Sequence, residues 1–137
     1  MSLNLSMLTK QSPWLINVEL IKQDIHLSRL KQFQYVHHET LFLDYPFKEG
    51  VYIVTGPRQI GKSTHLKMLI QKKITEKTKE HFFYFNCDLL DKKQDIVEIV
   101  ETYIHHFGSS NDHRYILLDE ITSVKDSFLA IKFLVDS

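Results

Sequence analysis

The sequence predicts an α/β fold in which a parallel sheet is flanked by helices. Three short apolar runs carry this expectation: Val51-Tyr52-Ile53-Val54, Phe82-Phe83-Tyr84-Phe85 and Tyr115-Ile116-Leu117-Leu118. None alternates with polar residues, which suits strands covered on both faces. A stretch of helical period follows each run, so the order from residue 51 onward is βαβαβα. Only four glycines and three prolines occur in 137 residues, so the chain is rich in regular elements and each glycine is informative.

Residues 1–12 read as a polar, frayed start. Pro13-Trp14 opens a helix, with proline in its first turn, and Trp14 is expected to anchor the N-terminal helices against the body. Between residues 17 and 33, Val18, Ile21, Ile25 and Leu30 recur at helical spacing, which fits one or two helices, with Asp24 or Ser28 capping a second. Tyr35, Leu41, Phe42 and Leu43 are extended in type, and Pro46 disfavours helix at Tyr45. Residues 47–50 form a turn into the first strand. A helix over 62–77 places Leu66, Leu69, Ile70 and Ile74 on one face, with Lys67, Lys72, Lys73 and Lys77 mostly on the other, which with zero net charge reads as a solvated face rather than a nucleic-acid contact. Residues 86–93 read as a polar loop. Ile96, Ile99, Val100, Tyr103, Ile104 and Phe107 mark the cleanest amphipathic helix, which Gly108 stops. Phe128, Ile131, Leu134 and Val135 mark a last helix.

Lys plus Arg and Asp plus Glu each number 17, so the formal net charge is zero, which excludes a strongly basic nucleic-acid coat and an acidic tail. Hydrophobic residues at 43% and charged residues at 25% are globular values, not those of a disordered chain. The single cysteine, Cys87, has no internal disulfide partner, so the expected compartment is reducing and cytoplasmic. No apolar run approaches the roughly 20 residues of a membrane span, and no secretory signal is visible.

The string Gly56-Pro57-Arg58-Gln59-Ile60-Gly61-Lys62-Ser63 fits G-x-x-x-x-G-K-[ST] at every fixed position, with an apolar strand before it and a helix after it. Gly56 permits the sharp exit from the strand, and Gly61, lacking a Cβ, allows close approach of backbone to phosphate. Amides of residues 58–64 are expected to form an anion nest at the positive end of the following helix. In that arrangement Lys62 neutralises β/γ oxygens, the Ser63 hydroxyl completes Mg²⁺ coordination, and Thr64 lies near the α-phosphate. Arg58 and Gln59 shape or shield the loop.

Asp119-Glu120 ends the third run, placing two carboxylates at a strand's carboxyl end, where open α/β sheets bind ligands. Asp119 can hold Mg²⁺ through a water, and Glu120 can polarise an attacking water. A kinase acting on a bound hydroxyl needs no second carboxylate, and the Asn-Lys-x-Asp string of guanine readers is missing. Asp88, at the exit of the second strand, is either a further group near the magnesium shell or a solvated loop residue.

With these residues in view, the chain resembles the AAA+-like P-loop ATPases of bacteria and archaea, in which an ATPase domain often precedes a domain of unknown function. Residues 51–64 are close to that family's TGPRQVGKTT opening. Residues 117–126 resemble its Walker B region, and residues 84–89 its second strand and acidic exit. Pro13-Trp14 and Asp24-Ile25-His26-Leu27 are also similar, and Phe128 stands where the family often has Trp, which implies a core substitution. The resemblance implies an N-terminal helical and extended segment over 1–46, packed on a partial P-loop NTPase domain over 47–137. It implies ATP and Mg²⁺ as cofactors. It assigns the Walker A residues Gly56, Pro57, Arg58, Gln59, Ile60, Gly61, Lys62, Ser63 and Thr64 to nucleotide, Ser63 and Asp119 to metal, and Glu120 with Lys62 to catalysis. The family's fourth strand, with its polar sensor, and its later arginine fall after Ser137. The chain is therefore expected to be a fragment of a larger ATPase, with weak or absent hydrolysis by itself.

In the family topology the first and third strands flank a slot for that fourth strand. Open edges there are costly, so direct pairing of those strands, filling by residues 35–43, or a strand-sharing dimer is expected. Two other functions remain open: a nucleotide-binding switch without turnover, acting on a protein partner, and a nucleic-acid-associated ATPase, which zero net charge does not indicate. His37-His38 and His105-His106 lack metal-ligand spacing, and Cys87 reads as a small core-edge residue.

Overall fold

Two short parallel strands carry the architecture. In the computed structural model, which describes residues 5–24, 62–108 and 114–136, β1 (Phe82–Asn86) pairs with β2 (Tyr115–Asp119) in the register Tyr84↔Leu117 and Asn86↔Asp119. The α/β class and two of the three expected strands are thus present. The expected strand over 51–54, the loop over 56–61, residues 35–43 and any helix beyond Asp24 lie outside the described residues, as does the expected boundary at 46/47. The chain divides into two compact units, Met1–Val18 with Thr75–Ser137, and Glu19–Ile74.

In the first unit, Phe83 and Phe85 point to one face of the strand pair and Phe82, Tyr84, Tyr115, Leu117 and Asp119 to the other, by the period of two. On the first face lies α3 (Lys93–Phe107), the third α-helix among the described residues, after α1 (Leu5–Gln11) and α2 (Lys62–Lys73). Its Tyr103 stacks on Phe83 with ring centroids 4.6 Å apart, and Ile96, Ile99 and Val100 are buried beside it. On the second face Phe82 stacks on Tyr115 at 5.0 Å.

The N-terminus of α3 is closed from inside. Asp95 Oδ2 accepts the backbone N–H of Asp91 at 3.1 Å and of Lys92 at 3.2 Å, and a carboxylate in the first turn also suits the helix dipole. At the other end the Gly108 N–H donates to the Ile104 carbonyl at 2.7 Å. A Cβ on Gly108 would lie 2.2 Å from that carbonyl oxygen, so glycine is required by close approach. The Tyr103 hydroxyl donates to the Glu80 carbonyl at 2.6 Å, and Arg114 donates to the same carbonyl at 3.1 Å. One oxygen thus ties the turn before β1, the middle of α3 and the entry to β2.

The N-terminus departs from its expected frayed start. Residues 5–11 form α1, which rests on α3 and β1, because Leu8 is fully buried. Pro13–Leu15 is a single 3₁₀ turn with proline in its first position, and Val18–Gln23 is also 3₁₀. Trp14 anchors as expected: it is fully buried, and its indole N–H donates to the Phe82 carbonyl at 2.8 Å.

Along the edge of β1 that faces away from β2, side chains replace a strand. The Ser12 hydroxyl donates to the Tyr84 carbonyl at 2.6 Å and accepts the Tyr84 N–H at 2.9 Å. Gln11 Oε1 accepts the Asn86 N–H at 3.3 Å. With Trp14 on Phe82, residues 11–14 close an edge that would otherwise offer itself to another chain. Sheet extension through this edge is therefore blocked.

Four further expectations are corrected. Helix α2 ends at Lys73 rather than at residue 77, because the Thr75 and Thr78 hydroxyls and amides bond one another in a closed turn and so compete with helical bonds. Lys67 is not on a solvated face: it is 6% exposed and paired with Asp24 at 2.6 Å, within the second unit. Strand β2 is covered less than expected, since Ile116 is exposed. In α4 (Ser127–Asp136), Phe128 is 63% exposed rather than in the core. The small residues Ser127 and Ala130 are buried instead, and α4 packs on α3. No helix among the described residues is long and apolar enough to cross a membrane.

Ser12→Ala leaves the Tyr84 N–H and C=O, both buried, without their partner. A loss of about 2 kcal/mol is expected, read as a lower urea midpoint with an unchanged slope. An unaltered midpoint would show that the edge is satisfied in some other way.

Candidate functional site

The carboxylates expected to do chemistry sit where β2 ends. Asp119 is the last residue of the strand and is 2% exposed. A buried carboxylate needs donors, and the described residues supply the Tyr84 hydroxyl, which donates to Oδ2 at 2.6 Å, and the Glu120 N–H, which donates to Oδ1 at 3.0 Å. The first distance is that of a charge-assisted O–H···O⁻ bond.

Glu120 follows in the left-handed conformation, φ 54° and ψ 39°, which costs a non-glycine residue about 1–2 kcal/mol. The turn is held from beyond: the Ser123 N–H and hydroxyl both donate to the Glu120 carbonyl, at 3.1 and 2.7 Å. Strain kept at a half-exposed glutamate directly after a buried aspartate is a pattern of functional sites. It turns the chain sharply at the sheet's carboxyl end, where α/β folds place ligands.

Cys87, directly after β1, is fully buried. Burial, then the nearby Asp119 and Asp88 charges, pushes its thiol from the ordinary 9.0 up to about 12. It is therefore a neutral packing residue, in line with its expected core-edge role, and not a nucleophile. Asp88 is exposed, and its backbone N–H donates to Asn86 Oδ1 at 2.9 Å.

Lys62 is the first residue of α2, followed by Ser63 and Thr64, both half-buried. They therefore stand in the first helical turn, where backbone N–H groups have no helical acceptor. Gly56, Pro57, Arg58, Gln59, Ile60 and Gly61 lie outside the described residues. Asp119 and Glu120 belong to the first unit, and Lys62, Ser63 and Thr64 to the second. Among the described residues no group of three or more His, Cys, Asp and Glu could hold a metal ion by itself.

Tyr84 was not singled out from the sequence, although a signal existed. A tyrosine inside an apolar strand must find a hydroxyl partner, and the carboxylate ending the neighbouring parallel strand lies within its reach. Ser12 gave no signal, because its partner is main chain 72 residues away.

A parallel strand ending in a carboxylate pair, together with a Gly-Lys-Ser-Thr string that opens a helix, outlines a nucleotide-binding, ATPase-like α/β domain. The comparison with protein families agrees: a model described as an AAA domain matches residues 48–137. The chain belongs to that family, with an AAA-like P-loop ATPase domain over those residues. No curated protein and no solved structure matches the chain.

Two outcomes are expected from this geometry. Glu120→Gly removes the left-handed strain and raises the melting temperature, by about 1 kcal/mol of stability, while Glu120→Ala keeps the strain and does not. The Cys87 thiol ionises near 9.0 when unfolded and only near 12 when folded. Over that window the unfolded state binds fewer protons, so stability falls as pH rises. Cys87→Ala should flatten this alkaline decline in urea midpoint; an equally steep decline would show that the thiol does not contribute.

Proposed function

We propose that the chain binds ATP with Mg²⁺, as the nucleotide-binding module of an AAA-like ATPase whose full-length form hydrolyses the β-γ phosphoanhydride. The observation that carries this reading is Asp119, a buried and doubly hydrogen-bonded carboxylate at the carboxyl end of β2, in an AAA-family chain that also has a complete phosphate-loop string. Each residue assigned to metal offers the hard oxygen that magnesium prefers, a carboxylate at Asp119 and a hydroxyl at Ser63. When bound, the ion neutralises charge on the β/γ oxygens.

In this reading Gly56, Pro57, Arg58, Gln59, Ile60 and Gly61 supply the backbone cradle, and Ser63 and Thr64 extend it into the first turn of α2. Lys62 adds a point charge toward the terminal phosphates. Glu120 accepts a proton from the attacking water. The sharp turn of its backbone is compatible with a carboxylate aimed away from the strand axis, and Asp119 remains fixed by its two donors. Partners beyond the nucleotide, including a second copy of the chain, are not required by this reading.

Lys62→Ala should weaken binding of a fluorescent ATP analogue about 10- to 100-fold, the worth of a charged hydrogen bond. In the full-length protein, Glu120→Gln should keep that binding and lower turnover by about 10²–10⁴. Unchanged binding in Lys62→Ala would refute the phosphate loop. Undiminished turnover in Glu120→Gln would remove Glu120 from the mechanism, and binding without turnover even in the full-length protein would favour a switch.

A further inference from the structure

We infer that Tyr84 is a positioning residue for Asp119, setting the orientation in which that carboxylate meets magnesium; the inference rests on the assignment of Asp119 made above. The register pairs Tyr84 with Leu117, so Asp119 is the next residue along β2 on the same face. The phenol reaches diagonally along the strand pair and donates to Oδ2 at 2.6 Å, while Oδ1 takes the Glu120 N–H at 3.0 Å. Each oxygen thus has its own donor, which fixes both torsions of the side chain. A carboxylate offers about four acceptor positions, so these two bonds do not exhaust it.

The phenol is itself held in place. Its residue is buried, and its main chain is gripped on both polar groups by Ser12. Tyr84 is 1% exposed, so water has little access to the place its hydroxyl occupies. Without that hydroxyl, Oδ2 would lose the donor that the phenol supplies, and with it the orientation that this bond sets. Groups of this kind around a metal ligand are worth about 10- to 100-fold in metal affinity.

The test is a Mg²⁺ titration of fluorescent ATP-analogue binding by the whole chain. Tyr84→Phe should raise the Mg²⁺ concentration for half-saturation about tenfold, while affinity for the analogue in EDTA stays within about twofold. Asp119→Asn should abolish the Mg²⁺ enhancement. If Asp119→Asn leaves the enhancement intact, the metal assignment falls. If it abolishes the enhancement and Tyr84→Phe titrates like the unmodified chain, the role of Tyr84 falls. A purely structural tyrosine would weaken binding equally with and without Mg²⁺, and that result too would overturn the inference. 3-Fluorotyrosine at position 84 keeps the hydroxyl and the fold. Its ¹⁹F resonance should move when Mg²⁺ joins the bound analogue and stay still in the Asp119→Asn background; a resonance that does not respond in the unmodified background counts against the inference.

Discussion

Strand β1 has five residues, and its polar groups must be satisfied along both edges before anything at the end of β2 can have a fixed place. One edge is met by β2. The other is met by side chains of residues 11–14, in which a hydroxyl, an amide and an indole replace the ladder of a neighbouring strand. A short strand with an open edge frays and invites foreign pairing. Closing that edge from within the chain makes Tyr84 a fixed point, and through Tyr84 the position of Asp119 is fixed as well.

The same economy appears around Glu80, whose carbonyl accepts from both Tyr103 and Arg114. Burial raises the pKa of the Tyr103 phenol, and the Arg114 hydrogen bond and charge only partly oppose this, so the group is a neutral donor throughout the ordinary pH range. Arg114 lies 5.9 Å from the centroid of the Tyr103 ring, a cation–π distance. A single main-chain oxygen therefore sets where β2 begins, and the paired register then sets where it ends.

Much of this was legible in the sequence. The two described strands fall on their apolar runs, and α3 follows its helical period to Gly108, because those patterns record burial directly. Asp119 and Glu120 were legible because a carboxylate pair after an apolar strand conflicts with simple packing. What stayed hidden was tertiary. Helix α1 forms because Leu8 has a buried place to go, which seven mostly polar residues do not announce. Lys67 is buried because Asp24 meets it, and a lone lysine on a helix reads as solvated until its partner is known. Phe128 read as core through the family resemblance, yet in α4 the small side chains of Ser127 and Ala130 are the buried ones.

The two acidic residues at the end of β2 are adjacent but physically opposite. Asp119 has extended strand geometry, almost no exposure and a donor on each oxygen; it is suited to being held still. Glu120 has left-handed backbone, partial exposure and a main chain fixed by Ser123; it is suited to presenting a carboxylate that water can reach. A site that must both hold a cation and activate water needs one carboxylate of each kind, because the burial that fixes the first would deprive the second of its substrate. The sharp turn between them lets consecutive residues meet both demands. In the proposed reading the strain has a use: a relaxed, extended Glu120 would continue the strand, and its side chain would alternate to the face opposite Asp119.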